Sequence, residues 1–226
     1  MLTLSKENAD GVALHLLASG ECLEAGDLDG ALVHAQNAAR RAGRVAVVRE
    51  VLGFVHYRRA EWAEALREFR TARRLSGSDH LLPHMADVER GLGRPDRAIE
   101  LSQEPAAGKL AASDRVELAI VVSGARRDLG QHDAAVQSLR DLVMASPPQR
   151  SWAGRLYYAY AEALLGIDDE VGAREWFSRA VDADKDGVTD AADRLSELDG
   201  VDIVDFGADL EDDENGTDEG TTGGNP

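Results

Sequence analysis

The sequence predicts an all-α solenoid of about five stacked helix hairpins, closed by a C-terminal cap helix and followed by an acidic tail. Three observations carry this. Ala31, Ala35 and Ala38 return as Ala65, Phe69 and Ala72, and again as Ala173, Phe177 and Ala180. The anchor alanines 31, 65, 98, 135 and 173 lie 34, 33, 37 and 38 residues apart, the period range of helical repeat arrays. The composition agrees, because 35 alanines and only five prolines before the last residue favour closely packed helices.

Each unit reads as two amphipathic helices around a turn, starting near residue 11. The first turns at Gly26–Asp27–Leu28, ahead of Ala31. In the second, Val47, Val48, Val51, Leu52 and Val55 form an apolar stripe across about 44–58. After the turn Ala60–Glu61–Trp62, its partner over about 62–74 presents Trp62, Ala65, Leu66, Phe69 and Ala72. The third and fourth units pivot on Gly93–Arg94–Pro95–Asp96 and Gly130–Gln131–His132–Asp133. Between them Gln103 to Ser113 reads as an expanded connection, and Pro105 stands where a small residue is expected. In the fifth, Leu156, Tyr157, Tyr160 and Leu164 precede the turn Ile167–Asp168–Asp169 and then Ala173, Trp176, Phe177 and Ala180. Asp and Pro at these turns cap the following helix or pre-set its first turn. One hairpin cannot bury its apolar face alone, so neighbours must stack and the array must end in a polar cap. Val188–Leu198, exposing Asp190, Asp193, Arg194 and Glu197, is the predicted cap.

These residues resemble the tetratricopeptide repeat (TPR) family. The resemblance rests on the 34-residue shift, on the Ala-x3-Ala/Phe-x2-Ala pattern of each second helix, and on Leu52–Gly53 with Tyr57. It covers about residues 11–183. In repeat four Leu139 and Leu142 replace the usual aromatic and alanine. The resemblance implies a concave face, built from each first helix, that binds peptides or protein segments without catalysis. It places Glu50, Phe54, Tyr57, Arg58, His84, Asp87, Arg90, Arg127, Tyr158 and Glu162 in or near that groove. Phe54, Tyr57 and Arg58 stand out, since Tyr and Arg are residue types that carry interface energy. The carboxylate clamp of some TPR domains is not implied, because Leu16, Gly20, Glu50 and Phe54 stand where its cations and amides belong.

The domain reading is therefore an N-terminal segment 1–10, a solenoid with cap over 11–198, and a tail over 199–226. The tail holds ten acidic residues, no basic one and six glycines, a mixture that predicts disorder. Of the formal net charge of −17, residues 1–198 carry only −7. So acidic a chain repels nucleic acid and anionic membrane, which require clustered Lys and Arg. Fold-back of the tail onto Arg58, Arg90 and Arg127 is one further expectation, weakened by the nearby Glu50, Asp87 and Glu162.

No apolar run approaches the roughly 20 residues of a membrane helix. Leu17 to Cys22 faintly resembles a lipoprotein site, but Glu21 directly before the cysteine argues against it. The chain reads as cytoplasmic, and its preference for 22 Arg over 3 Lys suits a high-GC, actinobacterial-like genome. Cys22, the single cysteine, permits no internal disulfide or Cys-based zinc site. No nucleophile, phosphate-cradling or paired-acid motif marks an enzyme, and no cofactor is implied. His80 and His84 stand four apart, but Pro83 between them disturbs helical spacing, and no further ligand set follows. The sharpest local pattern is Asp182, Asp184, Asp186, Gly187, Asp190 and Asp193, with the spacing of a calcium loop and of thrombospondin type 3 repeats. It offers the alternative of a calcium-responsive interaction protein. Against this, it is solitary and ends in Asp rather than the longer Glu, and it also fits a turn opening the cap helix.

Overall fold

The computed structural model describes residues 6–200 of the chain. Among these residues there are eleven α-helices, one short 3-10 turn and no strand. Ten helices pair as antiparallel hairpins: α1 (Lys6–Glu24) with α2 (Leu28–Ala42), α3 (Ala46–Arg58) with α4 (Trp62–Ser76), α5 (Leu82–Gly91) with α6 (Pro95–Ser102), α7 (Ala112–Asp128) with α8 (His132–Ala145), and α9 (Ala153–Leu165) with α10 (Glu170–Ala183). Helix α11 (Ala191–Asp199) packs on α10 and ends the stack. The predicted all-α solenoid of five hairpins and a cap is the fold observed.

The repeat has one geometry at fixed distances from each anchor alanine. All five anchors are completely buried. Five residues before each, the hairpin turn passes through left-handed backbone, at Gly26, Ala60, Gly93, Gly130 and Asp168. Twelve before each stands a small residue, because there the two helices of the hairpin touch. Gly53 is one of these, and a Cβ on it would lie 2.6 Å from the ring of the buried Phe69. Ser19 and Ser123 occupy the same register and donate to the carbonyls of Ala31 and Ala135 at 3.0 and 3.1 Å. Asp27 and Asp169 cap α2 and α10 by accepting from Gly30 N and Gly172 N, both at 2.9 Å.

The core is a succession of local clusters passed from one hairpin to the next. Ala31 and Ala35 of α2 receive Leu52 and Val55 of α3. Leu66 and Phe69 of α4 receive Leu81, Met85 and Val88 of the third unit. The largest cluster runs from α7 to α11 and includes Val116, Leu139, Leu156, Tyr160, Trp176 and Phe177.

Two boundaries differ from expectation. Helix α1 begins at Lys6, so residues 6–10 continue the first helix instead of forming a separate segment. The cap helix begins at Ala191 and not at Val188, because the Asp184 carboxylate accepts from Val188 N at 2.9 Å and Thr189 N at 2.7 Å and holds them in a turn. The connection after α6 is expanded as the sequence predicts, and within it Ala107–Lys109 forms a 3-10 turn whose Ala107 is buried against the α6–α7 cluster. The disorder expected for the tail falls, from residue 201 on, outside the described residues.

Candidate partner-binding groove

First helices of successive hairpins lie side by side, α1 by α3, α5 by α7 and α7 by α9. Their shared inner surface is crossed by bonds between neighbouring hairpins. Tyr57 donates to Asp87 Oδ2 at 2.5 Å and Arg127 to Glu162 Oε2 at 2.7 Å. Both donors stand eight residues before their anchor, and both acceptors eleven before the next. In the intervening step the donor is Arg90, but Gly124 occupies the acceptor position. With no side chain in the way, the Arg90 guanidinium lies over Gly124 and forks onto Asp128 at 2.8 and 3.2 Å. Arg90 also bonds Asp87 at 3.2 Å. Arg194 extends the ladder into the cap by binding Glu162 Oε1 at 2.9 Å.

The groove residues proposed from sequence are thus largely tied to one another. Glu50 pairs with His80 at 3.2 Å. Phe54 is half-buried and packs edge-on to Phe69 and His84, at ring distances of 5.1 and 4.8 Å. Tyr57 meets Trp62 edge-on, and burial with the Asp87 bond pushes its phenol well above the usual range. Burial pushes the His84 imidazole below its ordinary range, and its Nδ1 is enclosed without a hydrogen-bond partner. Of the three residues singled out, only Arg58 is exposed, and no ion pair engages it among the described residues. Arg90 and Arg127 are already neutralised locally, so they offer the tail no unpaired charge.

The open part of the inner face is a cleft of about 510 Å³ between α5, α7, α9 and the turn before α11. Ile120 and Ala159 supply its apolar floor, and Arg127, Arg155, Tyr158 and Asp190 its polar wall. Tyr158 stacks edge-on against Phe177, and burial with an Asp190 hydrogen bond raises its phenol pKa. Arg155 binds Glu117 at 2.8 Å and remains half-exposed. Burial pushes the Glu117 carboxyl upward, against the pull of Arg155. Sequence reasoning missed Glu117, Asp128, Arg155 and Arg194. One signal was present: Glu117 and Arg155 are 38 residues apart, the local repeat spacing, and so share one register on adjacent first helices.

The acidic loop uses its ligands internally. Asp184 accepts from Val188 N, Thr189 N and, at 2.6 Å, Thr189 Oγ1, which together hold its carboxyl below the usual range. Asp190 faces Tyr158. Among the described residues, neither Asp182, Asp184, Asp186, Asp190 and Asp193 nor His80 and His84 forms part of any group of three or more metal-ligating side chains arranged to hold an ion. His80 bonds Ser78 and Glu50. Within the same residues no helix is long and apolar enough to cross a membrane.

The helices define a class, the α-solenoid of stacked helix hairpins. Comparison with solved structures places it with TPR proteins in fold. A thermophilic TPR protein of Thermus thermophilus superposes with a TM-score of 0.66 at 16% identity, over 84% of this chain and 100% of the other. PilW, a widely conserved type IV pilus biogenesis factor, gives 0.65 at 14% identity, over 87% and 88%. YrrB, a TPR protein with an unusual peptide-binding site, gives 0.50 at 18% identity, over 81% and 90%. No family profile and no curated protein matches the sequence.

Proposed function

We propose that this chain is a non-catalytic adaptor or scaffold of the cytoplasm that holds a peptide or protein segment against its inner face. The observation that carries the reading is the cleft of about 510 Å³, where an apolar floor meets half-exposed Arg155 and the rim of Tyr158 and Arg127. That mixture of buried contact area and forked donors suits a protein segment. The other groove residues support it indirectly: the ladder from Tyr57 to Glu162 keeps the first helices in register and presents a preformed surface. The fold shared with YrrB, a TPR protein with an unusual peptide-binding site, supports the same class of ligand.

The test is selection of peptides from a random displayed library on the full chain, followed by calorimetry with groove variants. Tyr158→Ala combined with Arg155→Glu is expected to weaken selected peptides by about ten-fold or more. Unaltered affinity in that variant, or failure to select any peptide, overturns the reading.

A further inference from the structure

The N-terminal face of the stack carries a feature that the groove does not use. Along α1, Glu7, Asp10, Leu14, Leu17, Glu21 and Glu24 follow at spacings of three and four, and so form one straight seam. Leu14 is 67% exposed and Leu17 65%, and all four carboxylate residues are exposed as well. None of the six joins a core cluster, whereas Val12, Leu16, Cys22 and Leu23 turn toward the packed interior.

The repeat register shows how the equivalent positions are used in the later hairpins. Leu14 stands seventeen residues before its anchor, where the later hairpins have Val48, Leu81, Leu118 and Leu156, at 0, 0, 4 and 0% exposure. Glu21 stands ten before, where they have Val55, Val88, Ala125 and Ala163, all buried. In the later hairpins this face rests on the preceding unit, as Val55 does on Ala31 and Ala35 of α2. On α1 the described residues leave it uncovered, and Glu21 puts an acid where every later hairpin is apolar.

We infer that the α1 seam is a docking surface for an amphipathic helix of a partner protein, apolar at its middle and carrying Arg or Lys toward both ends, which stacks where a preceding hairpin would. This goes beyond the groove reading and does not rest on it. The charge pattern selects the occupant. Two leucines flanked on each side by two carboxylates, none of them in an ion pair among the described residues, complement basic ends around an apolar centre. A second copy of the chain is disfavoured by the same pattern. Antiparallel pairing about Leu14 and Leu17 sets Asp10 against Glu21 and Glu7 against Glu24, and parallel pairing also sets acid on acid.

The probe is a synthetic helix of about 18 residues with two leucines at the centre of one face and arginines one and two turns away on each side. Its binding to the 226-residue chain is read by fluorescence anisotropy, beside an analogue with glutamates in place of arginines. The arginine peptide is expected to saturate, and to bind about ten-fold or more tightly than the analogue. Leu14→Ser with Leu17→Ser, both on the surface and checked for helicity, should weaken it about ten-fold. Asp10→Lys with Glu21→Lys leaves two acids beside two bases on the seam and should abolish the preference, and Tyr158→Ala in the groove should leave it unchanged. Equal affinity for both peptides, saturation by neither, or a dimer in sedimentation equilibrium that the leucine variant dissolves would each overturn the assignment.

Discussion

His84 joins the clearest energetic consequence to a single side chain. Its ring is enclosed by Phe54, Tyr57 and Phe69, at ring distances of 4.8, 6.2 and 6.1 Å, and its Nδ1 has no partner. Burial lowers its pKa below the ordinary 6.5, against the weaker upward pull of Asp87. The unfolded chain therefore takes up this proton at higher pH than the folded chain does. Stability is undiminished above 6.5, falls as pH drops from there toward the folded value, and levels off below it. His84→Phe removes the proton site and keeps a flat ring. Denaturant unfolding at about pH 7.5 and about pH 5.5 is expected to show a smaller loss of stability in the variant than in the parent. An equal loss in both would mean that the titration lies elsewhere. Sequence could place His84 on a first helix, but not show that it is caged, because the cage draws on α3 and α4.

Within the hairpin the turn and the helix contact obey rules that repeat five times, which makes deviations informative. Ala60 holds φ 56° where three of its four equivalents are glycine. A Cβ in left-handed backbone costs about 1–2 kcal/mol, partly offset by the lower chain entropy of alanine. Ala60→Gly should therefore raise unfolding free energy by about 0.5–1 kcal/mol, whereas Gly53→Ala drives a Cβ into Phe69 and should lower it by about 1–3 kcal/mol. Equilibrium urea unfolding of both variants checks the signs. The elements themselves were legible in the sequence because the anchor alanines and turn residues are local signals at short range. The bonds between elements were not: Tyr57 with Asp87, Arg90 with Asp128 and Arg127 with Glu162 span 30 to 38 residues. Their partners depend on how far each helix is rotated against the next. Gly124 illustrates this, since its missing side chain redirects Arg90 by a whole turn. The cap helix was misplaced for a related reason, as a carboxylate that resembled a metal ligand is instead the acceptor that orders Val188 and Thr189.

At the scale of the molecule, each hairpin packs mainly on its sequence neighbours, so stability is close to a sum of units and interfaces, and the ends matter most. The two ends differ. The C-terminal end is covered: Ala191, Leu195 and Leu198 of α11 pack on the largest core cluster, Arg194 binds Glu162, and Arg174 binds Asp199 at 2.6 Å. The N-terminal end presents Leu14 and Leu17 to solvent. The charge is divided along the same axis, with ten of the acidic residues after Leu198. If residues 201–226 act as a solubilising tail, they add charge without adding an interface to the sum. A chain ending at Gly200 should then keep the thermal midpoint of the full chain. A chain ending at Asp184 loses α11 and the burial of two leucines and an alanine, worth about 2–3 kcal/mol, so its midpoint should fall and its exposed α10 face should promote association. Calorimetry of the three lengths at equal concentration separates these cases. A lowered midpoint in the chain ending at Gly200 would show that the acidic segment packs on the solenoid, and would return its charge to the account of the fold.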